Sequence, residues 1–258
     1  MEAHILASGS SGNAIYFQKG KTRILIDAGI SAKRIEEGLA SVGVRAADLD
    51  GILITHEHTD HVKGLDVFVR RHEIPVFAKE KTWEMIKCKE KLPSACVRLL
   101  ENELELGEFY IKAFSVPHDA VDPVGFCLWS DNFKSVVATD LGEVNEEVKA
   151  ALSMADIAVL EANHDIVMLK NGHYPNFLKN RILSSQGHLS NLAAGQVLAE
   201  IDKKPNMQVF LAHLSKENNL PSIAYRTVDQ ALAKAGCIAG EDISIKCTSS
   251  YRVCSFIA

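Results

Sequence analysis

No Cys-x-x-Cys pair occurs in the chain. Its six cysteines are scattered as Cys88, Cys96, Cys127, Cys237, Cys247 and Cys254. A zinc ribbon is thereby excluded, and cysteines set in apolar runs such as VGFCLW and YRVCSFIA read as reduced, small core residues. No apolar run approaches the ~20 residues of a membrane span. The N-terminal MEAHILASGSSGNA has no basic stretch followed by a long apolar one, so no signal peptide is expected. An excess of positive charge is missing too: 28 Lys and Arg stand against 33 Asp and Glu, a formal charge of −5. A protein that coats nucleic acid through bulk charge is disfavoured, because such binding rests on many Lys and Arg contacts to phosphate. Any attraction to a phosphodiester must be local. No Pro/Ser-rich linker, low-complexity tract or repeat interrupts the 258 residues. The expectation is one domain, residues 1–258, in a soluble cytoplasmic protein with no membrane partner.

What is present is an alternation of short β-rich runs and amphipathic segments, with 47% hydrophobic residues to fill a core. That pattern is α/β with buried sheets. Ser31 is placed to cap a helix carrying Ile35, Leu39 and Val42 on one face and stopping at Gly43. Val62, Leu65 and Phe68 or Val69 predict one helix after the histidine cluster. Leu192, Val197, Leu198 and Ile201 predict another, begun by Ser190 or Asn191. Pro221 opens a last one, with Tyr225, Val228, Leu232 and Ala235 behind it and Gly236 as its stop. The strands carry the stronger signal: RILID ends at Asp27, GILITH at His56, SVVATD at Asp140, IAVLE at Glu161 and QVFLAH at His213. Five apolar runs each end in a residue able to bind a metal or move a proton. Buried α/β strands carry their ligands at their carboxyl ends, so the five endings point to one convergent site.

The densest of these is THEHTDH, Thr55 to His61. In an extended segment, residues two apart face the same way, so His56 and His58 can hold one metal. Thr59 suits a turn or a helix cap, which puts Asp60 and His61 at the helix mouth, able to hold a second ion. Imidazole and carboxylate donors without thiolates suit zinc, manganese or iron. Two ions need more ligands: His118 in SVPHDA completes the first set, His213 the second, and Asp140 can bridge both. Two dications offset by Asp60, Asp140 and a bridging hydroxide leave local positive charge to attract a phosphodiester. The same ions lower the pKa of that bridging water and stabilise an in-line displacement.

With these residues in view the chain resembles the metallo-β-lactamase superfamily along essentially its whole length. The matching positions are Asp27 in LIDAG, HEHTDH, His118, Asp140 and His213. The resemblance implies an αββα sandwich, two mixed β-sheets flanked by helices, with a dinuclear site holding two divalent ions (manganese or zinc, or else iron). Within the superfamily it looks most like the YycJ (WalJ)-like branch of bacterial exonucleases. The carriers are LASGSSGNA, HDAVDPVG, ATDLG, EANHD, MLKNGHYPNFLKNRILSSQGHLSN and LAHLSKENN. The closer match implies a metal-dependent nuclease acting 5′ to 3′ on DNA. Other hydrolases on the scaffold stand as alternatives: a ribonuclease Z-like or small phosphodiesterase, or a thioesterase or lactonase. Ribonuclease Z enzymes place a proton-donating glutamate–histidine pair where this chain has Glu161 and His188. Asp60, Glu161 and His188 are therefore the candidate catalytic residues, Asp60 also as a ligand. Elementary chemistry agrees, since a departing alkoxide needs an acid and a carboxylate can hold a histidine charged. Asp27 is expected to brace the histidine loop by hydrogen bonds rather than to touch a metal.

Two further segments stay open at this point. Ser10, Ser11 and Asn13 lie in the glycine-rich ASGSSGN, which is either an anion-binding nest or a hairpin turn. Lys170, Lys179 and Arg181, with Tyr174 and Phe177 among them, either track a DNA strand by charge and stacking or form a solvated helical face.

Overall fold

The structure, a computed structural model, describes residues 1–257. In chain order the strands are β1 (Glu2–Ala7), β2 (Ala14–Lys19), β3 (Thr22–Ile26), β4 (Gly51–Leu53), β5 (Val76–Ala78), β6 (Val97–Leu99), β7 (Glu103–Leu106) and β8 (Phe109–Ser115). They continue as β9 (Val124–Ser130), β10 (Phe133–Ala138), β11 (Ile157–Glu161), β12 (Met207–Ala212), β13 (Ile243–Cys247) and β14 (Cys254–Ile257). The expected class holds: the sheets are mixed and helices flank them. The chain divides into two compact units.

The first unit comprises Met1–Ala113, Ala120–Pro123 and the segment from Ser249 onward. Its seven-stranded sheet runs β14-β1-β2-β3-β4-β5-β6. Pairing is antiparallel from β14 to β3 and parallel from β3 to β6. β7 and β8 form an antiparallel hairpin. Ser31 caps the Ala32–Ser41 helix by accepting the Arg34 N–H, and that helix lays Ala32, Ile35 and Leu39 into a core shared with Leu65, Phe68 and Val69.

The single helix expected after the histidine cluster is in fact two, Thr59–Val62 and Leu65–His72. The break falls at Gly64, whose N–H donates to Ala28 O at 2.7 Å. That bond takes the Gly64 N–H out of the helical ladder, and a Cβ at Gly64 would sit 2.0 Å from Ile30 O, so the close approach requires glycine. Thr59 is the first helical residue rather than the cap; His58 holds the cap position without a side-chain bond. β4 also stops earlier than GILITH suggests, at Leu53. Its ladder ends because the Thr55 N–H is taken by the Asp27 carboxylate at 2.9 Å instead of by a neighbouring strand.

The second unit comprises Phe114–Asp119 and Val124–Thr248. Its strands run β13-β12-β11-β10-β9, parallel from β10 to β13 and antiparallel between β10 and β9. Ser190 caps the Asn191–Glu200 helix, and Pro221 opens the Pro221–Lys234 helix as its first residue. Both contribute to a core with Val136, Ala158, Leu160 and Leu211. Among the described residues no helix is long and apolar enough to cross a membrane.

Candidate functional site

Strand-end residues carry the chemistry in both units, and three of them adopt a backbone that the sequence does not announce. Asp27, Asp140 and His213 have φ of 61°, 57° and 55°. Aspartate and histidine are among the non-glycine residues that enter this left-handed region most readily. A strained position of this kind costs on the order of 1–3 kcal/mol and persists only where surrounding bonds over-determine it. The bonds at each position show what does so.

In the first unit the Asp27 carboxylate, 1% exposed, organises the histidine loop. Its Oδ1 accepts the Thr55 N–H at 2.9 Å, and its Oδ2 accepts the Thr55 hydroxyl at 2.9 Å and His61 Nδ1–H at 2.7 Å. With its hydrogen committed to Asp27, Thr55 Oγ1 accepts from His56 Nδ1 at 3.0 Å. Both rings are thereby set with hydrogen on Nδ1 and the lone pair on Nε2, the form that ligates a metal. The His56 ring lies 4.6 Å from His58 and 4.1 Å from His61, centroid to centroid. Asp60 Oδ2 lies 3.7 Å from His61 Nε2.

Asp60 O accepts the Asn13 N–H at 2.8 Å, and a Cβ at Gly29 would lie 1.6 Å from that same oxygen. The aspartate's position therefore depends on a glycine opposite it. Glu57 Oε1 accepts the Val121 N–H at 3.0 Å and ties down the middle of the loop.

In the second unit the Asp140 carboxylate stands among three histidines. Its Oδ1 is 3.3 Å from His213 Nδ1, 3.7 Å from His188 Nδ1 and 3.9 Å from His118 Nε2. His118 Nδ1–H donates to Gly187 O at 3.1 Å and His213 Nδ1–H to Glu161 Oε1 at 2.7 Å, so in these rings too Nε2 is the atom able to ligate. Burial pushes the His118 pKa down, which favours the neutral, ligating ring.

Glu161 is wholly buried and fully engaged. Oε2 accepts the Leu141 and Leu189 N–H groups at 2.9 and 3.1 Å, while Oε1 faces both His188 Nδ1 at 2.9 Å and His213 Nδ1 at 2.7 Å. With the lone-pair directions of both oxygens taken, it reads as an anchor rather than a ligand. Burial alone would raise its pKa. The charge of His188 and the hydrogen bonds from both rings outweigh it and hold the carboxyl down at about 2. His188 responds in the opposite sense: burial lowers its pKa, and the Glu161 charge and hydrogen bond overcome that and raise it above the ordinary histidine value. The His188 side chain is 20% exposed, so the imidazole reaches the surface from a buried carboxylate.

The sequence-derived residues are thus placed as follows. His56, His58, Asp60 and His61 gather in one loop of the first unit with Asp27 beneath them. His118, Asp140 and His213 gather in the second, with Glu161 and His188 beside Asp140. The donor set, four oriented imidazoles with further histidine and aspartate, suits divalent metal ions.

One expectation is corrected, and a second segment gains partners within the chain. Asn13 is not a surface contact for substrate: it is 1% exposed, its Oδ1 accepts the Gly9 N–H, and its amide nitrogen lies 3.1 Å from His61 Nε2. Its role is to clamp the loop. Arg181 is paired with Asp119 at 2.5 Å, next to His118, and Lys179 Nζ donates to Lys170 O at 2.8 Å. Lys179 thus bonds within its own segment, and Arg181 ties that segment to the one carrying His118. Ser10 is exposed and Ser11 half-buried.

Sequence reasoning missed Thr55 as the relay between Asp27 and His56. It also missed Asn163, whose amide donates to His213 O at 2.8 Å and supports that left-handed residue. Both lie inside motifs already singled out, THEHTDH and EANHD; the signal was present, the bond was not.

A family model described as "Beta-lactamase superfamily domain" matches residues 22–214. The chain is 38% identical over 250 residues to exodeoxyribonuclease WalJ of Streptococcus pneumoniae, covering 95% of this chain and 93% of that protein. It is 36% identical over 244 residues to exodeoxyribonuclease YycJ of Bacillus anthracis, covering 93% and 92%. Among solved structures, the metallo-β-lactamase fold protein YhfI from Bacillus subtilis matches with a TM-score of 0.73 at 17% identity, covering 99% of this chain and 98% of that one. Human tRNase Z, short form, matches with a TM-score of 0.64 at 19% identity, covering 84% and 93%.

Proposed function

The chain belongs to the metallo-β-lactamase superfamily as a YycJ-like member, and from that premise we propose that it is a metal-dependent phosphodiesterase acting on nucleic acid, a 5′ to 3′ DNA exonuclease. It works as one metallo-β-lactamase-like domain, residues 1–258, in the cytoplasm. The observation that carries the reading is the Glu161–His188 pair beside Asp140. A DNA alkoxide leaves poorly without a proton, and this pair favours a protonated imidazole at the surface to give one.

His56, His58 and His118 would hold one divalent ion and Asp60, His61 and His213 the other, with Asp140 shared; manganese and zinc fit these donors, and iron is a further candidate. When bound, the ions supply Lewis acidity and a water of lowered pKa. The chain's own residues do the rest. Asp27 and Thr55 keep His56 and His61 in the ligating tautomer, Gly187 O does so for His118, and Glu161 does so for His213. Glu161 also accepts the His188 Nδ1–H and favours the protonated ring, which passes its Nε2 proton to the oxygen leaving phosphorus. Positive charge concentrated at the ligands attracts the phosphodiester although the chain as a whole carries −5.

End-labelled DNA tests this. With the metal-loaded protein, a 5′ label should leave at once as a mononucleotide, while a 3′-labelled strand shortens stepwise. DNA left intact by protein that hydrolyses a small ester would overturn the reading in favour of another hydrolase on the same scaffold.

A further inference from the structure

The C-terminal turn of the first unit presents an exposed aromatic ring. Tyr251 is 70% exposed, and the Arg34 guanidinium lies 5.5 Å from its ring centroid. The arrangement is anchored rather than loose. Arg34 Nη2 donates to Ser250 O, and the Tyr251 N–H donates to Ser249 Oγ at 3.2 Å. Ser250 Oγ donates to Ser8 O at 3.0 Å, and the Ser8 N–H donates to Ser249 O at 3.2 Å. The turn is thereby stitched to the glycine-rich Ser8–Asn13 loop. That loop is in turn bonded to the ligand loop, through Asn13 N–H to Asp60 O at 2.8 Å. A short series of hydrogen bonds thus fixes an exposed tyrosine, with a cation beside it, relative to Asp60.

We propose that Tyr251, held by Arg34, is a base-stacking platform that takes one nucleobase of a single-stranded DNA end engaged by the ligand loop. The inference rests on the nuclease reading and deepens it. An aromatic face accepts any base, so the platform grips a strand without reading its sequence, as a processive exonuclease requires. The guanidinium adds cation–π support to the ring and positive charge for the adjoining backbone. It also supplies attraction that the chain's net negative charge does not.

The test is an abasic scan. Phosphorothioate-linked single-stranded oligonucleotides, each with one abasic position, are titrated into metal-loaded wild type, Tyr251→Ala, Tyr251→Phe and Tyr251→Trp. In wild type, one position near the 5′ end should weaken binding by roughly 5- to 150-fold, the worth of one stacked base. In Tyr251→Ala, intact DNA should bind more weakly by a similar factor, and the abasic position should then cost nothing further. The phenylalanine and tryptophan variants should keep the position dependence. If Tyr251→Ala binds as wild type does, or weakens intact and abasic DNA equally, the tyrosine only braces the turn and the platform is refuted. Should wild type neither bind nor cut DNA, the nuclease reading itself falls, an outcome distinct from the first.

Discussion

Replacing His188 by alanine is expected to slow DNA cleavage by roughly 10²–10⁴-fold, the usual worth of a positioned general acid. Metal content should be unchanged. The proposed set of seven ligands does not include His188, whose Nδ1 is already committed to Glu161 at 2.9 Å. A diester with a much better leaving group needs little protonation, so its hydrolysis should lose far less in the variant. Rates on the two substrates, measured beside metal analysis, separate the acid from a ligand. If His188→Ala sheds metal, or loses both substrates equally, the acid assignment is wrong.

Glu161→Gln is the second large expected effect, and the structure changes its character. With the sequence alone, Glu161 serves His188, and its amide variant resembles a milder His188→Ala. In the structure one oxygen serves both His188 and the ligand His213, at 2.9 and 2.7 Å. Two losses should therefore appear together. Metal affinity should fall by roughly 10–100-fold, as when a carboxylate orienting a ligand histidine is removed. The pH–rate profile should move as well. Glu161 raises the His188 pKa, and the acid works only while protonated, so wild-type kcat/KM falls on the alkaline side through a value above the ordinary ~6.5. Without the carboxylate's charge the His188 pKa drops, and that alkaline limb should shift to lower pH. A profile unchanged in position, with metal affinity intact, would remove Glu161 from both tasks.

Much of the site was legible because apolar strands close on buried polar residues, which packing alone does not call for. Alternation of apolar runs with Asp27, Asp140, Glu161 and His213 at their close is a one-dimensional record of sheet geometry. The Glu161 ending holds to the residue, β11 closing on it, while β12 closes one residue before His213. What stayed hidden depends on three-dimensional closure. The left-handed turns at Asp27 and His213 are held by bonds to residues far along the chain. Asparagine at position 13 looks like any loop asparagine until the loop folds it inward. The helix break at Gly64 follows from the bond of its N–H to Ala28 O, which no period in the sequence encodes. Arg181 reads as free charge in a basic segment, and Asp119, its partner, is 62 residues away.

The central claim is a two-ion centre drawing on His56, His58, Asp60, His61, His118, Asp140 and His213. Metal content per chain, determined by elemental analysis after loading and desalting, tests it most directly, with His213→Ala measured alongside wild type. The account predicts about two divalent ions per wild-type chain and about one in the variant, as for two-metal sites generally. A wild-type chain that retains no metal, or a His213→Ala chain that retains as much as wild type, would contradict it.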